Sequence, residues 1–336
     1  MTVGQERPAV SAGVLAHVVD LELVARIIVD GLVSGPHRSP FHGYSAEFTQ
    51  YRHYRPGDDL KYVDWKLVAR TDRVYTKQFR ETTNMAAMLV VDASASMAFP
   101  VDVRRTQNPQ SAQSDVFSAS SPSSAWVVPR TPPTRGSSVS KFRYAIVAAA
   151  ALAHVVSRQG DAVGLLAAGG ATDAFLPARA GRPHLRRLHA TLASLEAGGG
   201  WSAGETIRRA AERLSRRGLL MVFSDFYDGD DAAFAELRRA ARIGHDVALF
   251  HIMSRAEIDF PYRRSLELAD LETGRTVAVD ADIARREYKH AVATFLDRCR
   301  ARAGAEGIQY SLVVTDTPPE RALRSFLLAR HGRTLG

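Results

Sequence analysis

The chain has one cysteine, Cys299, in 336 residues. That excludes an internal disulfide and points to a reducing compartment. No apolar run approaches the ~20 residues that span a bilayer. The longest candidate, residues 145–156, is alanine-rich and reads as a packed helix. The N-terminus lacks a basic region followed by an apolar stretch, so no secretory signal is expected. These absences set the expectation of a cytoplasmic protein without a membrane span. Catalytic signatures are missing too. There is no Gly-x-Ser-x-Gly elbow and no His-Glu-x-x-His pair, and the 11 histidines are scattered. None is spaced with a second histidine and a carboxylate as a ligand set.

Nucleic acid is not an expected partner. The net charge of +8 permits weak attraction to polyanions. Its carriers, such as Arg208, Arg209, Arg213, Arg238, Arg239 and Arg242, are spread over expected helices as solvated faces. No zinc-finger or RNA-recognition spacing accompanies them. What remains is an ordinary globular composition, 46% hydrophobic and 24% charged, with room for one large core or two smaller ones.

The most informative residues are Asp92-Ala93-Ser94-Ala95-Ser96, directly after the apolar run Met88-Leu89-Val90-Val91. A run of this kind reads as a buried strand of a parallel sheet. The carboxyl ends of such strands form the rim where ligands bind. One carboxylate and two hydroxyls at alternate positions make a hard oxygen cluster suited to Mg²⁺. A second strand-like run, Leu219 to Ser224, ends in Asp225. The bland reading is that Ser94 and Ser96 cap a loop and Asp225 is held by backbone amides.

Beyond Met85, strand and helix patterns alternate. Strands are expected near 88–91, 162–168, 219–223, 247–253 and 310–314. Helices are expected over 140–156, with Ser140 as N-cap, and over 183–195, 203–215, 232–243 and 283–303. Such alternation implies right-handed crossovers and a doubly wound, mostly parallel α/β sheet. A hairpin over 266–279 is expected on its edge. Residues 1–35 read as a tail with a helix at 21–33, and 36–84 as a small, partly β N-terminal lobe. The main domain is expected over 85–330. Within it, residues 104–139 are dominated by Ser, Pro, Thr and Gln and read as a disordered insert.

The Asp-x-Ser-x-Ser pattern resembles the metal-ion-dependent adhesion site of von Willebrand factor A domains. That resemblance implies metal ligands Asp92, Ser94, Ser96 and Asp225, and Mg²⁺ or Mn²⁺ as the ion. It also implies a threonine from a third, glycine-rich loop. Here the loop reads Gly198-Gly199-Gly200-Trp201-Ser202. Trp201 stands at the threonine's place, leaving Ser202 as the substitute ligand and Trp201 as an apolar contact for a partner. An ion so held is expected to accept a partner's acidic side chain.

Further motifs extend the resemblance. Gly43-Tyr44-Ser45-Ala46-Glu47-Phe48, Tyr51-Arg52-His53-Tyr54-Arg55-Pro56-Gly57-Asp58-Asp59 and Val63-Asp64-Trp65-Lys66 are similar to the bacterial "domain of unknown function 58" family. So are Gly160-Asp161-Ala162-Val163-Gly164-Leu165 and Gly244-His245-Asp246-Val247. The similarity runs over about 36–330, apart from the insert. Its members look like von Willebrand A domains and are usually encoded beside MoxR-type AAA+ ATPases. It implies a non-catalytic adaptor or co-chaperone joining such an ATPase to a protein client. Two alternatives stay open: a phosphohydrolase using Asp92, and a structural subunit with a vestigial site. Ser94 stands where the phosphohydrolase would need a second acid. In the N-terminal lobe, Arg52, Arg55, Asp58, Asp59 and Asp64 are expected to form an ion-pair network that locks it to the sheet.

Overall fold

The structure, a computed structural model, describes residues 20–33, 46–55, 58, 63–81, 85–100, 128–129, 139–214, 217–227, 231–269 and 276–333. Helix α1 (Leu21–Val33) comes first. Strand β1 (Ala46–His53) then pairs antiparallel with β2 (Tyr75–Glu81), and the short helix α2 (Trp65–Thr71) lies between them in sequence. Asp64 starts α2 by accepting the backbone N–H groups of Lys66 and Leu67, which is how an N-cap satisfies the free donors of a first turn.

The apolar runs become β3 (Ala86–Asp92), β5 (Ala162–Ala168), β7 (Leu219–Ser224), β8 (Asp246–Met253) and β11 (Gln309–Val314). With β6 (Ala174–Arg179) they form one sheet in the order β11-β8-β7-β3-β5-β6. Every neighbouring pair is parallel except β5 with β6. The chain therefore winds outward from β3 in one direction and from β7 in the other. Strands β3 and β7 flank the point where the order reverses, and Asp92 and Asp225 leave the sheet on either side of it. In open α/β sheets this is the crevice that receives ligands.

Both faces are covered. Helices α3 (Lys141–Arg158) and α4 (Arg182–Ser194) join α1 and α9 (Pro319–Arg333) over one face. Helices α5 (Ala203–Glu212), α6 (Asp231–Arg242) and α8 (Ala281–Ala305) cover the other. Strand β3 shows why the run is apolar without alternation. Leu89 and Val91 enter the first core and Met88 and Val90 the second. Each such side chain fully removed from water contributes about 1.5–3 kcal/mol. Helix α3 is buried around nearly its whole circumference, Ala145 and Ala148 to Ala151 included. Its alanines let the sheet and the neighbouring helices approach closely.

Several expectations need correction. The hairpin of β9 (Ser265–Ala269) and β10 (Thr276–Asp280) does not extend the main sheet. It forms a separate three-stranded sheet with the short β4 (Val128–Pro129). Part of the presumed disordered insert is therefore a strand, because backbone pairing to β9 needs no apolar period. The rest of the insert, 104–127 and 130–138, lies outside the described residues. Strand β6 leaves no apolar pattern in the sequence, since Leu176 is its only buried residue and Pro177 interrupts the run. Proline is tolerated there because β6 is an edge strand.

Part of the expected lobe network is present among the described residues. Arg52 does form a two-pronged ion pair with Asp58, at 2.8 and 2.9 Å. Asp58 also accepts the Arg55 backbone N–H at 2.9 Å. Asp64 caps α2 and also accepts the Tyr51 hydroxyl at 2.9 Å. Asp59, Pro56 and Gly57 lie outside the described residues.

Candidate functional site

Three loops meet above the reversal of strand order. Asp92 ends β3 with 2% of its surface exposed. Its Oδ1 accepts the Ser94 backbone N–H at 2.8 Å, and its Oδ2 accepts the Ser224 hydroxyl at 2.6 Å. The second bond crosses from β7 to β3 and fixes the two strand ends together. Ser94 and Ser96 face each other with their hydroxyl oxygens 3.1 Å apart. Ser94 is buried, whereas Ser96 is half-buried.

The glycine-rich loop is tied to the same place by backbone bonds. Gly198 N donates to Ala93 O at 2.8 Å, and Ala95 N donates to Gly199 O at 2.9 Å. This close approach depends on Gly169, whose φ is +93°. A Cβ there would sit 3.0 Å from both Ser94 N and Trp201 Cβ. Ser202 is the N-cap of α5 but makes no side-chain capping bond and is exposed. Trp201 differs from the expectation of a partner contact. It is 8% exposed and packs in the second core with Val90 and Leu166. The loop turns inward at that position because the indole has apolar side chains to cover.

Asp225 lies just beyond β7, and its carboxylate is engaged on both sides. Oδ1 accepts the Tyr227 backbone N–H at 3.3 Å. Oδ2 accepts the Lys141 ammonium at 2.7 Å. Lys141 also donates to Glu257 Oε1 at 2.6 Å, is itself 0% exposed, and lies 4.4 Å from the centre of the Tyr227 ring. Glu257 in turn closes a capping box at the start of the short helix α7 (Arg255–Asp259). Its Oε2 accepts Ser254 N at 2.7 Å, while Ser254 Oγ accepts Glu257 N. Lys141 and Glu257 were not among the residues singled out in the sequence.

The electrostatics follow from burial. Burial, then the neighbouring charge of Asp225, pushes the Asp92 carboxyl well above its usual range. Burial works against the charge of Lys141, but Asp225 and Glu257 outweigh it and hold the ammonium above its ordinary value. His251 on β8 is fully buried. Its Nδ1 lies 2.8 Å from the Tyr310 hydroxyl, and burial drops the ring to about 4. It is neutral at physiological pH.

The structure thus brings Asp92, Ser94, Ser96 and Asp225 to one crevice, with Ser202 on the adjoining loop. As a home for a resident Mg²⁺ or Mn²⁺, however, these residues do not fit. Each of the four carboxylate oxygens already holds a protein donor. Trp201 of the glycine-rich loop is turned into the core, and its indole supplies no oxygen ligand. The cation beside Asp225 is an ammonium. Among the described residues, no group of three or more His, Cys, Asp or Glu gathers as a metal cluster.

A mostly parallel α/β domain with an Asp-x-Ser-x-Ser crevice defines the class. The chain belongs to the family described as "Protein of unknown function DUF58", whose model matches residues 50–114 and 128–296. An uncharacterized protein of Mycobacterium tuberculosis is 28% identical over 272 residues, covering 80% of this chain and 74% of that protein. A Mycobacterium bovis protein, also uncharacterized, matches to the same extent. Among solved structures, the conserved hypothetical protein BatB of Bacteroides thetaiotaomicron is 14% identical with a TM-score of 0.42. It aligns over 74% of this chain and 99% of its own. An aerotolerance-related membrane protein of Bacteroides fragilis gives 12% and 0.41, with the same coverage. No helix among the described residues of the present chain is long and apolar enough to cross a membrane.

Proposed function

We propose that this chain is a non-catalytic docking module on a von Willebrand A-like domain. It would serve as an adaptor or co-chaperone for a MoxR-type AAA+ ATPase and its protein client. The observation that carries this reading is the convergence of three loops at the reversal of strand order, with the acids there committed to internal bonds. Asp92 is buried and bonded at both oxygens, which suits a fixed scaffold and hinders nucleophilic attack. Half-buried Ser96 and exposed Ser202 form the rim a partner would touch.

The test uses the purified chain and a MoxR-type ATPase from the same organism, with binding followed by interferometry. Ser96→Arg and Ser202→Arg place bulk on the rim. They are expected to weaken binding at least tenfold, a change of about 1.4 kcal/mol or more, with the thermal midpoint unchanged. Absence of binding by the unaltered chain, or indifference to both substitutions, overturns the reading. Turnover of a phosphate ester abolished by Asp92→Asn establishes the phosphohydrolase instead.

A further inference from the structure

We propose that the ammonium of Lys141 is the resident cation of this crevice and that the crevice works without a divalent metal ion. The inference concerns the same site as the docking reading but does not depend on which partner docks.

The argument begins with position. Lys141 is the first residue of α3, immediately after the N-cap Ser140. A helix N-terminus carries partial positive charge, so a cation there is disfavoured unless anions surround it. Here two carboxylates do so, Asp225 from the loop after β7 and Glu257 from the first turn of α7, 84 and 116 residues away in sequence. The ammonium is completely buried, and the Tyr227 ring lies beside it. A buried ammonium persists only when it is paired and hydrogen-bonded. This one is held by two carboxylates at 2.7 and 2.6 Å.

The consequence for ligands is chemical. A divalent ion in an adhesion-type site is left short of negative charge and reaches outward for a partner's carboxylate. Lys141 cannot do that, because it is fully covered and its bonds point inward to Asp225 and Glu257. Asp92, Asp225 and Glu257 are buried and bonded within the protein. The crevice therefore presents the hydroxyls of Ser96 and Ser202 at its rim rather than a metal's open coordination position. A partner would meet it through hydrogen bonds to those hydroxyls, not by handing a Glu or Asp to a metal ion.

The experiment is Mn²⁺ and Mg²⁺ titration by calorimetry on chelator-stripped full chain, with thermal midpoints recorded with and without EDTA. The unaltered chain is expected to show no saturable uptake at millimolar ion and no EDTA effect. Saturable binding lost in Ser94→Ala overturns the proposal, whatever the ATPase does. Lys141→Met removes the internal cation and is expected to create Mn²⁺ binding along with a metal-dependent rise in the midpoint. Lys141→Met combined with Glu257→Gln leaves one acid fewer uncompensated and repeats the test if the single variant does not fold. Failure of a folded variant to gain ion binding also overturns the proposal. The unaltered chain decides the matter alone should neither variant fold.

Discussion

Ser224 illustrates how much of the crevice rests on single groups. Its hydroxyl donates to Asp92 at 2.6 Å and accepts the Phe226 N–H at 2.9 Å. Ser224→Ala leaves a buried carboxylate short of a donor. It should lower unfolding free energy by about 1–3 kcal/mol, read as a shift in the urea midpoint with unchanged slope. His251 sets a pH dependence. Its ring sits at about 4 in the folded chain against about 6.5 when unfolded. Below pH 6.5 the unfolded chain binds the proton and the folded chain does not. Stability is therefore lost as pH falls from about 6.5 to about 4, by roughly 3 kcal/mol in all, and the loss levels off below that. Asp92 acts in the opposite sense, since its raised pKa favours the folded state at low pH. His251→Gln should flatten the acid-side decline in chemical-denaturation midpoints between pH 4 and 6.5. An unchanged slope would show that the ring does not titrate as its burial implies. The Asp-x-Ser-x-Ser loop and Asp225 were legible in the sequence because each follows an apolar run. Lys141 was not, because pairing between distant residues leaves no local period. A signal did exist: a lysine in the first turn of an alanine-rich helix, with no acid in that turn, needs distant counter-charges.

Among elements, one tight constraint lies where β5 meets β6. A Cβ on Gly164 would fall 2.8 Å from Ala178 N and 2.9 Å from Leu176 O, both backbone atoms that cannot rotate away. Gly164→Ala should push the edge strand outward and cost about 1–3 kcal/mol. It should also speed amide exchange along β6 relative to β3. Equal protection in both strands would contradict that. The buried central strands and the long helices were readable from apolar runs and periodicity. Strand β2 was readable from the alternation over 74–79, but the edge strand β6, the strand β1 and the helix α2 were not, because few of their described side chains reach the core. Helix α2 buries none. Sequence pattern reports burial, so elements that bury little leave little trace in it.

Across the whole molecule, the two apolar faces of one sheet organise everything else. The strand order could not be read from the chain, because parallel crossovers of similar length are compatible with several orders. What the order adds is the placement of Asp92 beside Ser224 and Asp225, residues more than 130 positions apart in sequence. Ser140→Ala tests how strongly the start of α3 supports this arrangement. Ser140 accepts the Arg143 N–H at 3.1 Å, and the loss should cost about 1 kcal/mol. Because Lys141 follows directly, the substitution should also loosen the crevice. The fluorescence of Trp201, which packs beside it, is expected to shift red. A stability loss with no spectral change would separate the helix cap from the site.

The burial of α3 has one more consequence, for the order of events at the ribosome. Its alanine-rich surface is covered by α1 from one end of the described chain and by α9 from the other, and α1 and α9 also touch each other. During synthesis α1 emerges well before α3 and α9, with Val24, Ile28 and Val29 lacking the surface they will cover. The last helix must leave the exit tunnel before that layer can close. Closure of this layer therefore waits until residues 21–333 have all been made instead of proceeding as residues appear. A nascent chain stalled after Val314 should remain protease-sensitive in α1, and one released beyond residue 333 should become resistant.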